Sequence, residues 1–471
     1  MGRRRTKRPP PAARQRRTPK YEMDKRLQSS ETSRIEELPD DVLVHILSFL
    51  TTLAEKVRSS VLSRRWRNVW RYITFLDFDP TMLHMDQVEI NDAWYIAWVN
   101  KVLDDRVALL GLPLVKELRI QYALDASHSW HVDRWISFAI ANRVETLHLD
   151  FYPYCDKIHL YESYMLREEC WHRVPLGLSI LNCLKSLYLS CVKVNQQFVE
   201  FILSSCPLLE DLSLVLVDIQ NNLDVSGEPP LRLRRLKIDT VGDFTFTKLC
   251  APDLTSLFYE SDECNPQKVD VPMLTDLTIG STSGKQLIMK YLEPFWSYLP
   301  QLEKLELIIA KAETFRLTQT PKLVKLKYLK ISVFHYDEDM DFISCRVITF
   351  IDACPMLEIF AMEIFELDSF TFLVDMDQHK KKLRKLERRC SFNCLKEVEL
   401  YGVDGLTIDQ AATRFIIRNA PNLEKLTIDT RTPSRYHISS LSRPKVVKIA
   451  EVKAKRLCQE SHLDIEITVT G

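Results

Sequence analysis

Along most of the chain the apolar positions return in one short frame, apolar-x-x-apolar-x-apolar. It opens at Val115, Val144, Leu184, Leu209, Leu233, Leu254, Leu274, Leu302, Leu326, Leu357, Leu395 and Leu423. The last two apolar positions of each frame lie two residues apart, so each frame predicts a short strand with alternate side chains in a core. Successive frames are 20 to 40 residues apart. A unit of that length cannot bury its apolar face alone, but stacked units share one continuous core, which predicts an elongated solenoid with parallel strands on its concave face. The return segments carry a second signal. Proline stands two places before the frame at Pro207, Pro252, Pro272, Pro300, Pro355 and Pro421. Helically spaced apolar residues precede three of these, namely Phe198 with Phe201 and Ile202, Val347 with Phe350 and Ile351, and Phe415 with Ile416. Proline ends such a helix and releases the chain into a strand. The fold class is therefore α/β, with helices and loops on the convex face. The two long intervals, 144–184 and 357–395, are expected to hold insertions. Over residues 320–331 two registers compete, because Pro321 and Leu323 would place the strand three residues earlier.

Ahead of the repeats the periodicity is helical. Pro39 followed by Asp40 and Asp41 predicts a helix start, since proline suits the first turn and carboxylates meet the positive end of the helix dipole. Leu43, Ile46, Leu47 and Leu50 then fall on one face. A second short helix places Val57 and Val61 on one side, and Ser63 can cap a third that carries Trp66, Val69 and Trp70, before Ile73 to Asp79 turns extended. Three helices in about 40 residues make too small a core to stand alone, so their apolar surplus calls for docking, on the rest of the chain or on another protein.

At these residues the chain resembles the F-box family, and more narrowly the plant F-box proteins with leucine-rich repeats. The resemblance is carried by Leu38-Pro39-Asp40-Asp41-Val42-Leu43, by Ile46-Leu47-Ser48-Phe49-Leu50 and by the run from Val57 to Arg67. Two departures fall in one loop: the subfamily usually has proline where Thr51 stands, and the stretch from Thr51 to Lys56 is one residue longer. The resemblance implies that this module binds a Skp1-like adaptor, and through it cullin and RING subunits, with Leu38, Pro39, Leu43, Ile46, Leu50, Val57, Val61, Leu62 and Trp66 as the adaptor-binding residues. It also identifies the solenoid as a leucine-rich-repeat domain. Typical repeats place Asn or Cys three residues after the strand's last apolar position. Here Val192, Val217, Val241 and Val403 stand at four of those places, so apolar packing is expected to replace the polar ladder. The segment from Cys394 to Leu426 resembles the FBD region of such proteins and reads equally as final repeats, while residues 464–469 are a candidate capping strand. The resulting domains are a basic leader (1–32), an F-box (33–80), a solenoid (81–393) and final repeats with an FBD-like region and cap (394–471).

Composition narrows the chemistry. The 471 residues carry 64 basic and 64 acidic side chains but only 10 glycines, where average usage would give roughly 33. Neither glycine-rich phosphate-binding pattern occurs, so nucleotide chemistry is not expected. HExxH and GxSxG are absent as well. His128 and His131 lack further ligands nearby in sequence, and Cys390 and Cys394 lack a second pair. No cofactor and no metal are expected, and no enzyme. Twelve cysteines without a C-x-x-C pair suit buried thiols in a reducing compartment, and no run of apolar residues is long enough for a membrane span.

The zero net charge is a cancellation. Residues 1–20 hold nine basic groups and no acidic one, which leaves the other 451 residues at −9. Arg3, Arg4, Arg5, Lys7, Arg8, Arg14, Arg16 and Arg17, divided by a proline-rich spacer, form a candidate nuclear localisation signal, so nucleus, cytoplasm or both are expected. On the strands, the second, fourth and sixth residues after each anchor should face the concave surface, and these positions sum to −5. Candidate target-binding residues there are Arg119, Asp150, Asp211, Lys237, Glu260, Asp276, Glu306, Lys330, Glu363, Glu399 and Asp429. An acidic face disfavours phosphate backbones and suits a protein partner of basic character. The leading expectation is a non-catalytic substrate receptor of an SCF-type ubiquitin ligase. The alternatives are a leucine-rich-repeat scaffold and a nuclear nucleic-acid-associated protein acting through the basic tail.

Overall fold

The computed structural model describes residues 35, 37–50, 52–83, 90–108, 114–152, 164–166, 182–220, 223–227, 230–240, 246–262, 266–281, 287–311, 315, 322–336, 340–367, 390–402, 411–431, 443–461 and 465–470. The basic leader, the valines at 241 and 403, and most of both long intervals lie outside them. Ten helices are described: α1 (Asp40–Ser48), α2 (Leu53–Arg58), α3 (Trp66–Val69), α4 (Asp92–Val107), α5 (Ser129–Ala141), α6 (Gln196–Ser205), α7 (Ile288–Leu292), α8 (Met340–Asp352), α9 (Ala411–Asn419) and α10 (Arg443–Ser461). None of them is long and apolar enough to cross a membrane. The strands are β1 (Phe75–Phe78), β2 (Glu117–Gln121), β3 (Thr146–Asp150), β4 (Met165–Leu166), β5 (Ser186–Ser190), β6 (Lys193–Asn195), β7 (Asp211–Gln220), β8 (Leu223–Val225), β9 (Arg235–Thr240), β10 (Phe246–Cys250), β11 (Ser256–Glu260), β12 (Lys268–Asp270), β13 (Asp276–Ser281), β14 (Lys304–Lys311), β15 (Tyr328–Tyr336), β16 (Ile359–Leu367), β17 (Glu397–Tyr401), β18 (Lys425–Asp429) and β19 (Glu466–Thr470).

The repeat frames form one parallel sheet in the order β1-β2-β3-β5-β7-β9-β11-β13-β14-β15-β16-β17-β18-β19. Register follows the apolar frame: Leu76 pairs with Leu118, then Leu147, Leu187, Leu212, Leu236, Leu257, Leu277, Leu305, Leu329, Phe360, Val398, Leu426 and Ile467. The competing register at 320–331 is thereby settled. Leu326 opens the frame, and Leu323 packs beneath it, fully buried. The candidate capping strand pairs with β18, and the segment likened to the FBD region supplies β17 and β18 as ordinary rungs.

Backbone and side chains repeat together at the rim that precedes the strands. The carbonyl of Lys116 accepts from the amides of Glu145 and Thr146 at 2.7 and 3.0 Å, Glu145 then accepts from Lys185 and Ser186, and the pattern continues to Lys396. The side chains at this position alternate in sign, which gives ion pairs Lys185–Glu145 (2.7 Å), Lys327–Glu303 (2.9 Å) and Lys396–Glu358 (3.0 Å). Where the alternation lapses, the Thr255 and Thr275 hydroxyls donate to the carbonyls of Arg234 and Thr255. Each exposed pair stabilises little, but its mismatch with a slipped register favours the observed one.

The convex face departs from the expected helices in the middle of the chain. Helices end before Pro207, Pro355 and Pro421 as predicted, but the residues before Pro252 and Pro272 are strands β10 and β12, which join β8 in a three-stranded parallel sheet. The cause is length. The anchors there are 21 and 20 residues apart, and after the rung and its turns too few residues remain for a helix. Val192 and Val217, at the usual polar-ladder position, are fully buried, and a bulge at Leu216 (φ 50°) lets β7 pair first with the main sheet and then with β6.

Candidate functional site

Two surfaces emerge from this architecture, one on the N-terminal helices and one on the concave sheet. The helices close their own core around Leu43, Leu47, Leu53, Trp66, Val69 and Trp70, all buried. Helix α1 carries Asp40 and Asp41 in its first turn, as predicted. The longer loop before α2 is accommodated by a capping box: the Thr52 hydroxyl accepts from the Glu55 amide at 3.0 Å, and the Glu55 carboxylate accepts from the Thr52 amide at 3.2 Å. Arg65 clamps the start of α1 through Asp40.

Burial divides the nine residues expected at the adaptor surface. Leu43 and Trp66 are interior and hold the helices together, so they offer no contact surface. Leu38, Leu50 and Val57 are half-buried against the core, while Pro39, Ile46, Val61 and Leu62 are exposed. Two expectations about faces are corrected. Ile46 does not share the inner face of Leu43 and Leu47; it lies outward with Val42 and Phe49. Val57 and Val61 do not share a side either, because the chain tightens from α2 into a 3-10 turn at Ser59–Val61, and the change from about 100° to about 120° per residue swings Val61 outward. Three large apolar side chains of the module are left outside: Val61 is 85% exposed, Phe49 73% and Leu62 66%. Sequence reasoning missed Phe49, although its position next to the inward Leu50 was a signal that it faces the other way.

The helical module is fixed to the solenoid by buried polar contacts. Strand β1 is the first rung of the sheet, and the Thr74 carbonyl accepts from the amides of Lys116 and Glu117. Arg106, buried at the end of α4, donates to the carbonyls of Arg71 and Ile73, the latter at 3.0 Å. Its burial pulls the guanidinium pKa down to about 10. The Tyr95 hydroxyl donates to the Phe78 carbonyl at 2.7 Å. The Phe75 ring lies between Lys56 and Arg119, each 5.2 Å from its centre. Lys56 is itself buried, which lowers its pKa.

On the concave face all eleven candidate target-binding residues lie half-buried on the sheet. They lie along the rungs, and most of the cations of this face pair with neighbouring carboxylates. Arg119 pairs with Glu117 (2.8 Å), Arg235 with Asp211 (2.5 Å), Lys304 with Glu306 (2.7 Å), Lys330 with Glu363 (2.7 Å), Lys425 with Glu397 (2.5 Å) and Arg431 with Asp429 (2.6 Å). Lys237 instead covers the Phe258 ring at 4.4 Å. The Glu399 carboxyl accepts from the Tyr401 hydroxyl at 3.1 Å, and burial, with Glu397 nearby, raises its pKa. Burial also neutralises His148, whose pKa falls to about 4. The −5 read from sequence is thus the residue of an interlocked ladder, and sequence alone did not reveal which charges are already spent inside it.

The residues weighed for other chemistry are occupied structurally. His128 meets Asp125 at 3.0 Å and His131 meets Asn100 at 3.2 Å. The described cysteines are free thiols, with Cys191, Cys206, Cys354, Cys390 and Cys458 buried, and burial pushes the Cys206 thiol up to about 12.

Comparison with known proteins assigns both surfaces to families. A model of the F-box domain matches residues 35–78, and a leucine-rich-repeat model described as the At1g61320/AtMIF1 LRR domain matches residues 113–462. Among curated relatives from Arabidopsis thaliana, F-box/LRR-repeat protein 25 is 31% identical over 228 residues, 47% of this chain and 81% of the relative. F-box protein At5g03100 is 29% identical over 262 residues, 52% and 76% of the two chains. Putative F-box/LRR-repeat protein At3g44810 is 27% identical over 250 residues, 50% of this chain, which thus spans only 55% of that relative.

Proposed function

This chain belongs to the F-box/leucine-rich-repeat family, and from that membership we propose that it is the target-recognition subunit of an SCF-type ubiquitin ligase, docking on a Skp1-like adaptor through its N-terminal helices and holding a target protein on its concave face. The observation that carries the proposal is the exposure of Phe49, Val61 and Leu62 outside a helical core that is already filled. Large apolar side chains exposed on so small a module are what a docking surface requires. With Pro39 and Ile46 they make up the adaptor contact, while Leu43 and Trp66 support it from within.

No catalytic group is required of the chain in this role. Its contribution to ubiquitin transfer is orientation, since holding target and charged carrier in one assembly converts an encounter between them into a local event. Arg106 and β1 support that role, because they tie the adaptor-binding helices to the first rung and keep the concave face at a set angle to the adaptor. The target is held by the rung residues from Arg119 to Asp429 named above. The basic leader, outside the described residues, is assigned to nuclear import.

The test is copurification of the full chain with a Skp1-type adaptor. Wild type should bind, and Phe49→Asp, Val61→Asp and Leu62→Asp should each abolish binding while leaving the melting temperature unchanged. Failure of the wild-type chain to bind would remove the reading.

A further inference from the structure

On the concave face the small residue Ser213 stands between two much larger ones, Tyr188 and Lys237. Along the central row, in strand order, stand Arg119, His148, Tyr188, Ser213, Lys237 and Phe258, each aligned with the next. His148 and Tyr188 stack with ring centres 3.9 Å apart and planes inclined by 2°. Adjacent strands are about 4.8 Å apart, so the two rings lean toward each other. On the other side Lys237 leans onto Phe258, with its ammonium 4.4 Å from the ring centre. Both neighbours of Ser213 are thus engaged with partners on their far sides. Tyr188 and Lys237 are two rungs, or about 9.5 Å, apart, and an aromatic ring set midway would lie at stacking distance from Tyr188 and within cation–π reach of Lys237.

We propose that the gap over Ser213 is a binding slot for an aromatic side chain of the partner held on the concave face. The occupant's chemistry follows by elimination. A cation is disfavoured because Lys237 forms no ion pair among the described residues and would repel it. An anion is disfavoured because the Asp239 carboxylate stands on the next strand, and burial together with the charges of Asp150 and Asp239 already opposes ionisation of Tyr188. A neutral ring uses the free face of Tyr188 and gives the Lys237 charge a second ring to cover. Filled in this way, the row becomes an unbroken stack from His148 to Phe258. The slot rests on the reading that this face holds a protein target, and it specifies one side chain of that target.

The test uses the full-length chain and two probes, N-acetyl-tryptophanamide and N-acetyl-argininamide, followed by saturation-transfer NMR. Wild type and Ser213→Ala should transfer signal to the indole and not to the arginine probe. Ser213→Trp, which plugs the slot with the chain's own ring, and Tyr188→Ala, which removes its wall, should each weaken indole binding by about three- to tenfold, the worth of one aromatic stack. Adaptor copurification of each variant separates the two readings: loss of adaptor binding by wild type strikes the ligase role alone, while the indole signal reports the slot alone. The slot is refuted if Ser213→Trp binds indole as wild type does, if the arginine probe is preferred, or if Ser213→Trp lowers the melting temperature, since a ring-sized gap accepts a ring without strain.

Discussion

Arg106 offers the sharpest test of how the adaptor-binding helices are coupled to the solenoid. Replacing it with Met keeps the length of the side chain and its apolar stem but removes both hydrogen bonds to the carbonyls of Arg71 and Ile73. Hydrogen bonds made by a charged group contribute about 1.5–3 kcal/mol each, so two amount to about 3–6 kcal/mol. Against this, Met buries more apolar surface and no charge has to be desolvated; a buried methionine stem recovers about 1–2 kcal/mol. The expected net loss is about 1–5 kcal/mol, concentrated at the junction because Arg106 is buried with both acceptors in the turn between α3 and β1. Hydrogen exchange followed by mass spectrometry should show amides of residues 40–72 exchanging faster in Arg106→Met, with those of β13 to β18 unchanged. Urea titration should show the helical module melting ahead of the solenoid. Unchanged protection over 40–72, or a loss below about 0.5 kcal/mol, well under the worth of even one such bond, would refute the assignment of Arg106 as the link.

Two further perturbations probe the sheet itself. Gly280 sits at φ 147° with its Cα against β14, and a Cβ there would lie 2.0 Å from the Ile308 carbonyl oxygen, so Gly280→Ala should destabilise the solenoid by about 2 kcal/mol or more, the combined cost of strain and displaced backbone, read by urea unfolding. His148, held neutral in the stack, has its pKa lowered from 6.5 to about 4. Between those values the unfolded chain binds more protons, so this group's contribution makes stability rise with pH from about 4 to 6.5 and then level off, by at most about 3 kcal/mol. His148→Gln should flatten that part of the difference between variant and wild type; an unchanged slope would show that His148 is not buried in the stack.

Much of this was legible in the chain. Every one of the twelve apolar frames became a rung, because two apolar side chains a strand period apart have only one way to share a core with identical neighbours. The prolines located the ends of α6, α8 and α9 for the same local reason. What the frame could not specify was the content of the returns. The stretches before Pro252 and Pro272 became strands because their anchors stand too close together for a helix, a constraint that acts only once the rungs are stacked. Ile73 to Asp79 was legible as extended, but its pairing with β2, which makes it the first rung, depends on a backbone partner about 40 residues away.

The same division runs through the functional surfaces. Residue order alone determined the family resemblance, the solenoid, its register outside residues 320–331 and an apolar surplus in the N-terminal helices. Only the tertiary structure decided which of those apolar residues are spent inside. Leu43 and Trp66 go to the core, while Phe49 stays out with the outward face of α1 and Val61 is turned out by the 3-10 turn at Ser59–Val61. On the concave sheet the sequence supplied the charges, but pairing within and across rungs engaged most of the cations, and the far-side contacts of Tyr188 and Lys237 around Ser213 are recorded in no sequence pattern, since they join side chains brought together only by stacking strands about 25 residues apart.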